Sequence, residues 1–252
     1  MNNKREIALT SKDVTRPSGP WTPTIHQFLH HLHRNGFTQC PLPLSIEANT
    51  ETVTLVDGET YDYPLKGAIA SEEALISAAK LLRKFHDTSA MFIASMPSDC
   101  LHWQQPLRDP VEVICHSDFA PYNVALNGDK VVGVFDFDTA HPGPRMWDLA
   151  YAVYCWAPFK THRHDAMGSL VEQSTRARLF CVHYGAVERD KLQLVDCMIS
   201  RLQSLVSFMY AEADSGNTKF QQDIEQGHQN AYLKDIDYLL RNKAQITRQL
   251  CI

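Results

Sequence analysis

One segment, residues 111–138, limits what this chain can fold into more than any other. Two β-rich stretches, 111–126 and 131–138, flank Asn127-Gly128, a dipeptide suited to the positive φ angles of a tight hairpin turn. The pattern predicts a hairpin that brings Asp118, Asn123 and Asp136 near one end of a small sheet. Two carboxylates and an amide oxygen converging there supply hard oxygen ligands for magnesium, with one carboxylate left to orient a hydroxyl. That is the equipment of phosphoryl transfer, whose transition state needs positioning and charge neutralisation more than a protein nucleophile. Asp and Asn are also common turn residues, so each alone could cap a turn; their joint spacing favours the chemical reading.

The rest of the chain frames this segment. Short strand-like runs at 14–16 and 53–56 enclose a helix over 22–35, with Thr22-Pro23 at its start, Gly36 at its stop, and Ile25, Phe28, Leu29 and Leu32 on one apolar face. This is a small mixed α/β lobe. A Tyr, Asp and Pro-rich stretch at 61–64 marks the crossing to a second part, giving lobes at 1–60 and 61–252. A helix over 71–88 buries Leu75, Ala78, Ala79, Leu82 and Phe85, and 96–110 reads as loop. Beyond Pro142 the chain reads as helices over 147–156, 172–184, 192–213 and 220–250, the last with a break. No repeat or low-complexity tract is present.

Of the 252 residues, 44% are hydrophobic and 21% charged, an ordinary globular balance. A net charge of -5 argues against a nucleic-acid binder that works by bulk phosphate neutralisation. No signal peptide or bilayer-spanning stretch is evident, so a cytoplasmic protein that uses neither membrane nor nucleic acid is expected. The seven cysteines lack paired spacing and read as reduced, mostly buried residues. Oligomeric state is not encoded in any feature of the sequence.

His116-x-Asp118-x4-Asn123, followed by an apolar strand ending in Asp136, resembles the catalytic loop and metal aspartate of the aminoglycoside phosphotransferase and choline kinase group. Arg16-Pro-Ser-Gly-Pro-Trp-Thr-Pro, Ala120-Pro-Tyr-Asn, Phe135-Asp-Phe-Asp, Pro142-Gly-Pro-Arg-Met-Trp-Asp-Leu-Ala-Tyr and Gly227-His228 are similar to one bacterial branch of it. The resemblance implies a protein-kinase-like α+β fold, with a small N-terminal nucleotide-binding lobe and a larger, mostly helical lobe holding the catalytic hairpin. It implies transfer of the γ-phosphoryl of ATP or GTP, with Mg2+, to a hydroxyl-bearing small molecule. By position Asp118 becomes the catalytic base, with His116 beside it in the catalytic loop as a brace. Asn123 and Asp136 become the magnesium ligands, and Asp148 a buried carboxylate bonding backbone amides. Asp138 reads either as a further metal-proximal or substrate-facing carboxylate or as a turn residue.

Two departures stand out. Ser117 occupies the place of the family's usual glycine. No glycine precedes Gly19, the only basic candidate at the strand-lysine position is Arg16, and the first helix contains no acid, so the usual lysine–glutamate pair is missing. Three accounts are open: Arg16 contacts the phosphates without a helical partner, the small lobe is shortened, or nucleotide binds poorly. The base would meet backbone groups near Thr54 and Val56.

Three other groups read as structural on balance. The histidines 26, 30, 31 and 33 suggest a solvated helix face rather than a metal site. Trp147, Tyr151, Tyr154 and Trp156 suggest core packing rather than a cation-π cage. Glu212, Asp214, Asp223, Glu225, Asp235 and Asp237 suggest a solvated face rather than a polyamine-like pocket. Alongside the enzyme stand two alternatives: a catalytically weak kinase-like binding protein, and a metal-dependent phosphohydrolase.

Overall fold

The computed structural model describes residues 7–95 and 101–252; part of the 96–110 loop expectation, and Cys100, lie outside them. Strands β1 (Ala8–Leu9), β2 (Asp13–Pro17), β3 (Pro43–Glu47) and β4 (Thr50–Thr54) form an antiparallel sheet in the order β1-β2-β4-β3. Helix α1 (Thr22–Arg34) lies between β2 and β3 in the chain. Strand β3 was not foreseen, because Pro43, Leu44 and Ser45 give no clear alternation.

Leaving the sheet, the chain runs against the hairpin, where Glu59 pairs with Leu126. This approach is close. A Cβ on Gly133 would collide with the Val56 side chain, and one on Gly58, at φ +138°, would lie 2.7 Å from Leu126 O. Glycine is required at both places by contact, and at Gly58 by backbone angle too.

The hairpin is β6 (Val124–Asn127) with β7 (Lys130–Val134). The hairpin about Asn127-Gly128 is therefore the expected one, with its first strand confined to the end of the 111–126 stretch, while β5 (Val113–Cys115) pairs with β8 (His141–Gly143). Both are buried ribbons, and an apolar run alone does not specify its partner.

Helix α2 (Glu72–Ser95) passes beneath both ribbons and contacts α1 and α4. Helices α3 (Arg145–Trp156), α4 (Leu170–Tyr184), α5 (Glu188–Asp214), α6 (Thr218–Glu225) and α7 (His228–Leu250) build the larger part. Ser169 and Glu172 close a reciprocal cap on α4, and the expected break before α7 falls at Gly227. Among the described residues, no helix is long and apolar enough to cross a membrane. Cys40, Cys115, Cys155 and Cys181 are buried and free, Cys197 is half-buried and Cys251 is exposed.

Candidate active site

The sequence Phe135-Asp136-Phe137-Asp138 leaves β7 with alternate residues on opposite sides. Phe137 turns into the core, with ring centroids 4.6 Å from His116, 5.8 Å from Phe85 and 6.4 Å from Phe28. Asp136 and Asp138 are thereby directed to the other side. Asp136 takes φ +65°, a left-handed angle that Asp tolerates better than most residues.

The loop before the hairpin is fixed by one buried carboxylate. Asp148, near the start of α3, accepts hydrogen bonds from the N–H groups of His116 and Ser117, each 2.7 Å long. It also pairs with His86 Nε2 at 2.9 Å, and His86 Nδ1 meets Tyr184 OH at 2.7 Å. Burial alone would push the Asp148 carboxyl up, but the His86 bond and its neighbours outweigh it and hold the group below its ordinary range. Ser117 takes φ +67°, which explains in physical terms why glycine is usual there. Its Oγ lies 3.2 Å from His141 Nδ1, and its carbonyl accepts from Arg201 Nη2 at 2.8 Å.

His116 is fully buried, with Nε2 3.1 Å from Phe135 O and Nδ1 3.3 Å from Asp118 N. Both ring nitrogens are engaged within the loop, and burial pulls the pKa below its usual value. With both ring nitrogens so engaged, the His116 ring ties Phe135 to the backbone at Asp118.

Asp118 is half-buried. Tyr122 OH donates to one carboxylate oxygen at 2.7 Å and Asn123 Nδ2 to the other at 2.8 Å. Burial, reinforced by Asp136, pushes its pKa up to about 6 against those two bonds, a value suited to a base near neutral pH. Asn123 Nδ2 is committed to Asp118, so its carbonyl Oδ1 is the atom able to ligate a metal. Among the described residues, no group of three His, Cys, Asp or Glu is arranged to hold a metal ion. One amide oxygen and one carboxylate nevertheless fit magnesium, which commonly keeps few protein ligands and completes its shell with phosphate and water.

Arg16, on β2, closes the site from the sheet side. Its guanidinium donates to Glu51 Oε1 (2.8 Å), Asp136 Oδ1 (2.8 Å) and Asp138 Oδ1 (2.7 Å). Burial would lower its pKa, yet these carboxylates hold it above the ordinary arginine value. Asp138 is therefore a buried carboxylate, although it also stands in the turn that follows β7. Glu51, 2% exposed, stands directly across the sheet from Arg16 and also bonds His26 Nε2 at 2.8 Å. The missing lysine–glutamate pair is thus replaced by an arginine, a strand glutamate and a helix histidine. Burial pushes the Glu51 carboxyl up, but the bonds from His26 and Arg16 prevail and hold it low.

Two cavities meet at Asp136. A slot of about 450 Å3 lies beneath the sheet, with Val14, Arg16, Thr54, Val56, Phe135 and Asp136 in its walls. A larger cavity of about 960 Å3 contains Asp118, Asp136, Asp138, Trp103, Phe208 and Glu212. Thr54 N–H is bonded to Leu42 O and Leu55 N–H to Lys12 O. The N–H groups of Thr54 and Leu55 are thus already paired within the protein, and Val56 also lines the slot.

The remaining candidates resolve differently from one another. His26 is buried on Glu51, which corrects the solvated-face reading for that residue; His33 meets Cys40 O and His31 packs on Phe92, while His30 is exposed. Trp147, Tyr151, Tyr154 and Trp156 are buried, and three of their rings already face the protein's own cations. Arg108 lies 3.6 Å from the Trp147 centroid, Arg201 4.5 Å from Tyr151 and Lys160 4.3 Å from Tyr154. Asp235 is buried, accepting from Tyr154 OH, Thr161 N–H and Thr161 Oγ1, and Glu212 lines the larger cavity. Both depart from the solvated-face reading; Asp214, Glu225 and Asp237 are exposed as expected.

Residues 98–180, the part of the chain that carries this loop and hairpin, match the model of the phosphotransferase enzyme family (APH). The trifolitoxin immunity protein of Rhizobium leguminosarum bv. trifolii is 29% identical over 196 residues, covering 74% of this chain and 73% of its own. A Ralstonia eutropha protein assigned to the aminoglycoside phosphotransferases superposes with a TM-score of 0.62 at 10% identity, covering 94% of this chain and 93% of its own. Plasmodium vivax ethanolamine kinase gives 0.61 at 12% identity, over 96% and 83%. At such identities the superpositions speak for the two-lobed protein-kinase-like fold, and the family match speaks for the loop and hairpin. The chain thus resembles the phosphotransferase enzyme family over residues 98–180 and shares the fold of these kinases over nearly its whole length.

Proposed function

We propose that this protein transfers the γ-phosphoryl group of ATP or GTP, with magnesium, to a hydroxyl of a small-molecule acceptor in the cytoplasm. The observation that carries this reading is the position of Asp136 at the junction of the slot and the larger cavity. Donor and acceptor have separate chambers that meet at one carboxylate.

The nucleotide base enters the slot between the lobes, whose boundary lies near residue 60, and meets the backbone from Val56 onward. Asn123 Oδ1 and Asp136 are the protein ligands for magnesium, which when bound neutralises triphosphate charge. Arg16, steered by Glu51 at its Nε end, turns its remaining N–H groups to the phosphates. Asp118, oriented by Tyr122 and Asn123, accepts the proton of the acceptor hydroxyl as the new O–P bond forms and the bond from the γ-phosphorus to the departing nucleoside diphosphate breaks.

Thermal unfolding with and without nucleotide tests the reading. ATP or GTP with magnesium should raise the Tm of the wild type, since a ligand bound only to the folded state stabilises it. Asp136→Ala should lose the magnesium-dependent part. Failure of every nucleotide to stabilise the protein would sink the proposal. Asp118→Asn should retain the stabilisation and lower turnover by about 10²- to 10⁴-fold, the usual contribution of a general base.

A further inference from the structure

The cavity at Asp118 continues past its carboxylates. Thr139 and Phe208 line both this cavity and a neighbouring one of about 350 Å3. The two chambers differ in charge. Among the described residues, the first is walled by Asp118, Asp136, Asp138 and Glu212, with Lys219 at its side, whereas the second presents Arg108 and Arg201 and no carboxylate.

The two arginines are held by their faces and by one donor each. Arg108 stacks on Trp147 and donates from Nη2 to Ser204 Oγ at 2.7 Å. Arg201 lies over Tyr151 and, at 5.5 Å, over the same Trp147 ring, and donates from Nη2 to Ser117 O. Its Nε is buried with no acceptor. Among the described residues, the ion pairs formed by arginines involve residues 16, 83, 145 and 241, not 108 or 201. Burial and the adjacent Arg201 cation lower the Arg108 pKa. Two neighbouring cations that form no ion pair among the described residues are unfavourably placed, and an oxyanion in the cavity would relieve them. The planar guanidinium fork matches carboxylate and phosphate oxygens.

We propose that Arg108 and Arg201 form an oxyanion subsite at the far end of the acceptor cavity, receiving the carboxylate or phosphate group of an acceptor whose hydroxyl lies at Asp118. The proposal rests on the phosphotransfer reading for the role of Asp118 and on the second cavity for the anion. Arg201 is bonded to the carbonyl of Ser117, the residue before Asp118, so the anion is held close to the reacting hydroxyl. The acceptor is then an anionic hydroxy compound, although most charged groups around Asp118 are acidic.

Titration calorimetry with inorganic phosphate, and separately with acetate, tests the subsite. Wild type, Arg108→Gln, Arg201→Lys and Asp118→Asn are each titrated nucleotide-free and after addition of magnesium with a non-hydrolysable ATP analogue. One saturable site for at least one anion is expected in the wild type, weakened about tenfold in Arg108→Gln and Arg201→Lys and unchanged in Asp118→Asn. No saturable uptake of either anion, or uptake indifferent to both arginine changes, overturns the subsite. Failure of the analogue to bind counts against phosphotransfer and leaves the nucleotide-free titration fully readable. Glycerol 3-phosphate or the longer sorbitol 6-phosphate should bind about threefold or more tightly than inorganic phosphate, with the gain lost in Asp118→Asn. If neither gains over inorganic phosphate, the link between the anion subsite and the acceptor hydroxyl is overturned.

Discussion

Two sides of Asp136 are held in place by different physics. Around residues 116–118, the backbone is pinned by Asp148, which is fully buried and accepts two amide hydrogen bonds and a histidine pair. Around Arg16, the geometry rests on one guanidinium shared among Glu51, Asp136 and Asp138. The first arrangement has no route to solvent and is set when the protein folds. The second is made of contacts that phosphate and magnesium could exchange for their own. The proposed roles fit this contrast: a base at Asp118 needs the former, because misplacement costs rate, and an Arg16 that admits a charged nucleotide needs the latter.

Asp148→Asn should break the first side with the largest effect. It removes the charge paired with His86 and sets an NH2 group against a backbone N–H, a loss of about 3–5 kcal/mol for a buried pair deprived of one partner. For a chain of this size that lowers Tm by roughly 10 °C. Because the Asp148 carboxyl is held low in the folded state, its contribution is present above the ordinary carboxylate pKa and is lost as pH falls through the folded value. The difference between wild type and variant should therefore shrink below about pH 4. A difference of only about 0.5 kcal/mol, typical of surface changes, would mean that the loop is not pinned by this carboxylate.

Glu51→Gln addresses the other side. It loosens Arg16 without emptying space, so nucleotide affinity should fall by about tenfold, the worth of one charge-assisted hydrogen bond, while kcat stays within a small factor. If kcat fell and affinity held, Arg16 would belong with the reacting groups and the contrast between the two sides would fail.

Tyr122→Phe gives a smaller effect, visible in the pH profile. The tyrosine bond stabilises the Asp118 carboxylate against burial and the Asp136 charge, which leave its pKa at about 6. Without that bond the pKa rises. Activity that requires the unprotonated base is lost as pH falls through it, so the acid limb of kcat/KM should move from about 6 towards neutrality, with little change at pH 8. An unmoved limb would show that another group sets it.

These two sides were unequally legible in the sequence. Asp118, Asn123, Asp136 and Asp148 lie within one short stretch, where motif spacing and a hairpin turn convey their proximity directly. The helices follow from their apolar periodicity, although α2 continues to Ser95 and α5 begins at Glu188, because end residues are fixed by packing and capping. Glu51 was missed because an acid in the run TETVT reads as solvent-facing, and its tie to Arg16 exists only once β2 and β4 are paired in register. One signal was available: Glu51 shares a strand face with Val53, and both are buried. His26 was likewise hidden among neighbouring histidines, although it sits one residue after Ile25 and three before Leu29 on the buried face. Arg108 and Arg201 lie far apart in the chain, and only the fold brings both to Trp147.

Ser117 allows the pinned side to be tested without touching a charge. At φ +67° an L-residue costs about 1 kcal/mol relative to its favoured angles. Glycine removes that strain but adds about 0.5–1 kcal/mol of unfolded-state entropy. Ser117→Gly also loses the contact between Oγ and His141, so opposing effects should leave stability within about 1 kcal/mol of wild type. Turnover should be unchanged, since Asp148 bonds the Ser117 backbone and not its side chain. Ser117→Val should instead be strongly destabilising, because a β-branched residue at this angle is a steric outlier. Denaturant melts of the two variants separate the explanations. If glycine cost as much as valine, the hydroxyl contact with His141 would set the turn, and the backbone grip of Asp148 would not suffice to hold Asp118 in place.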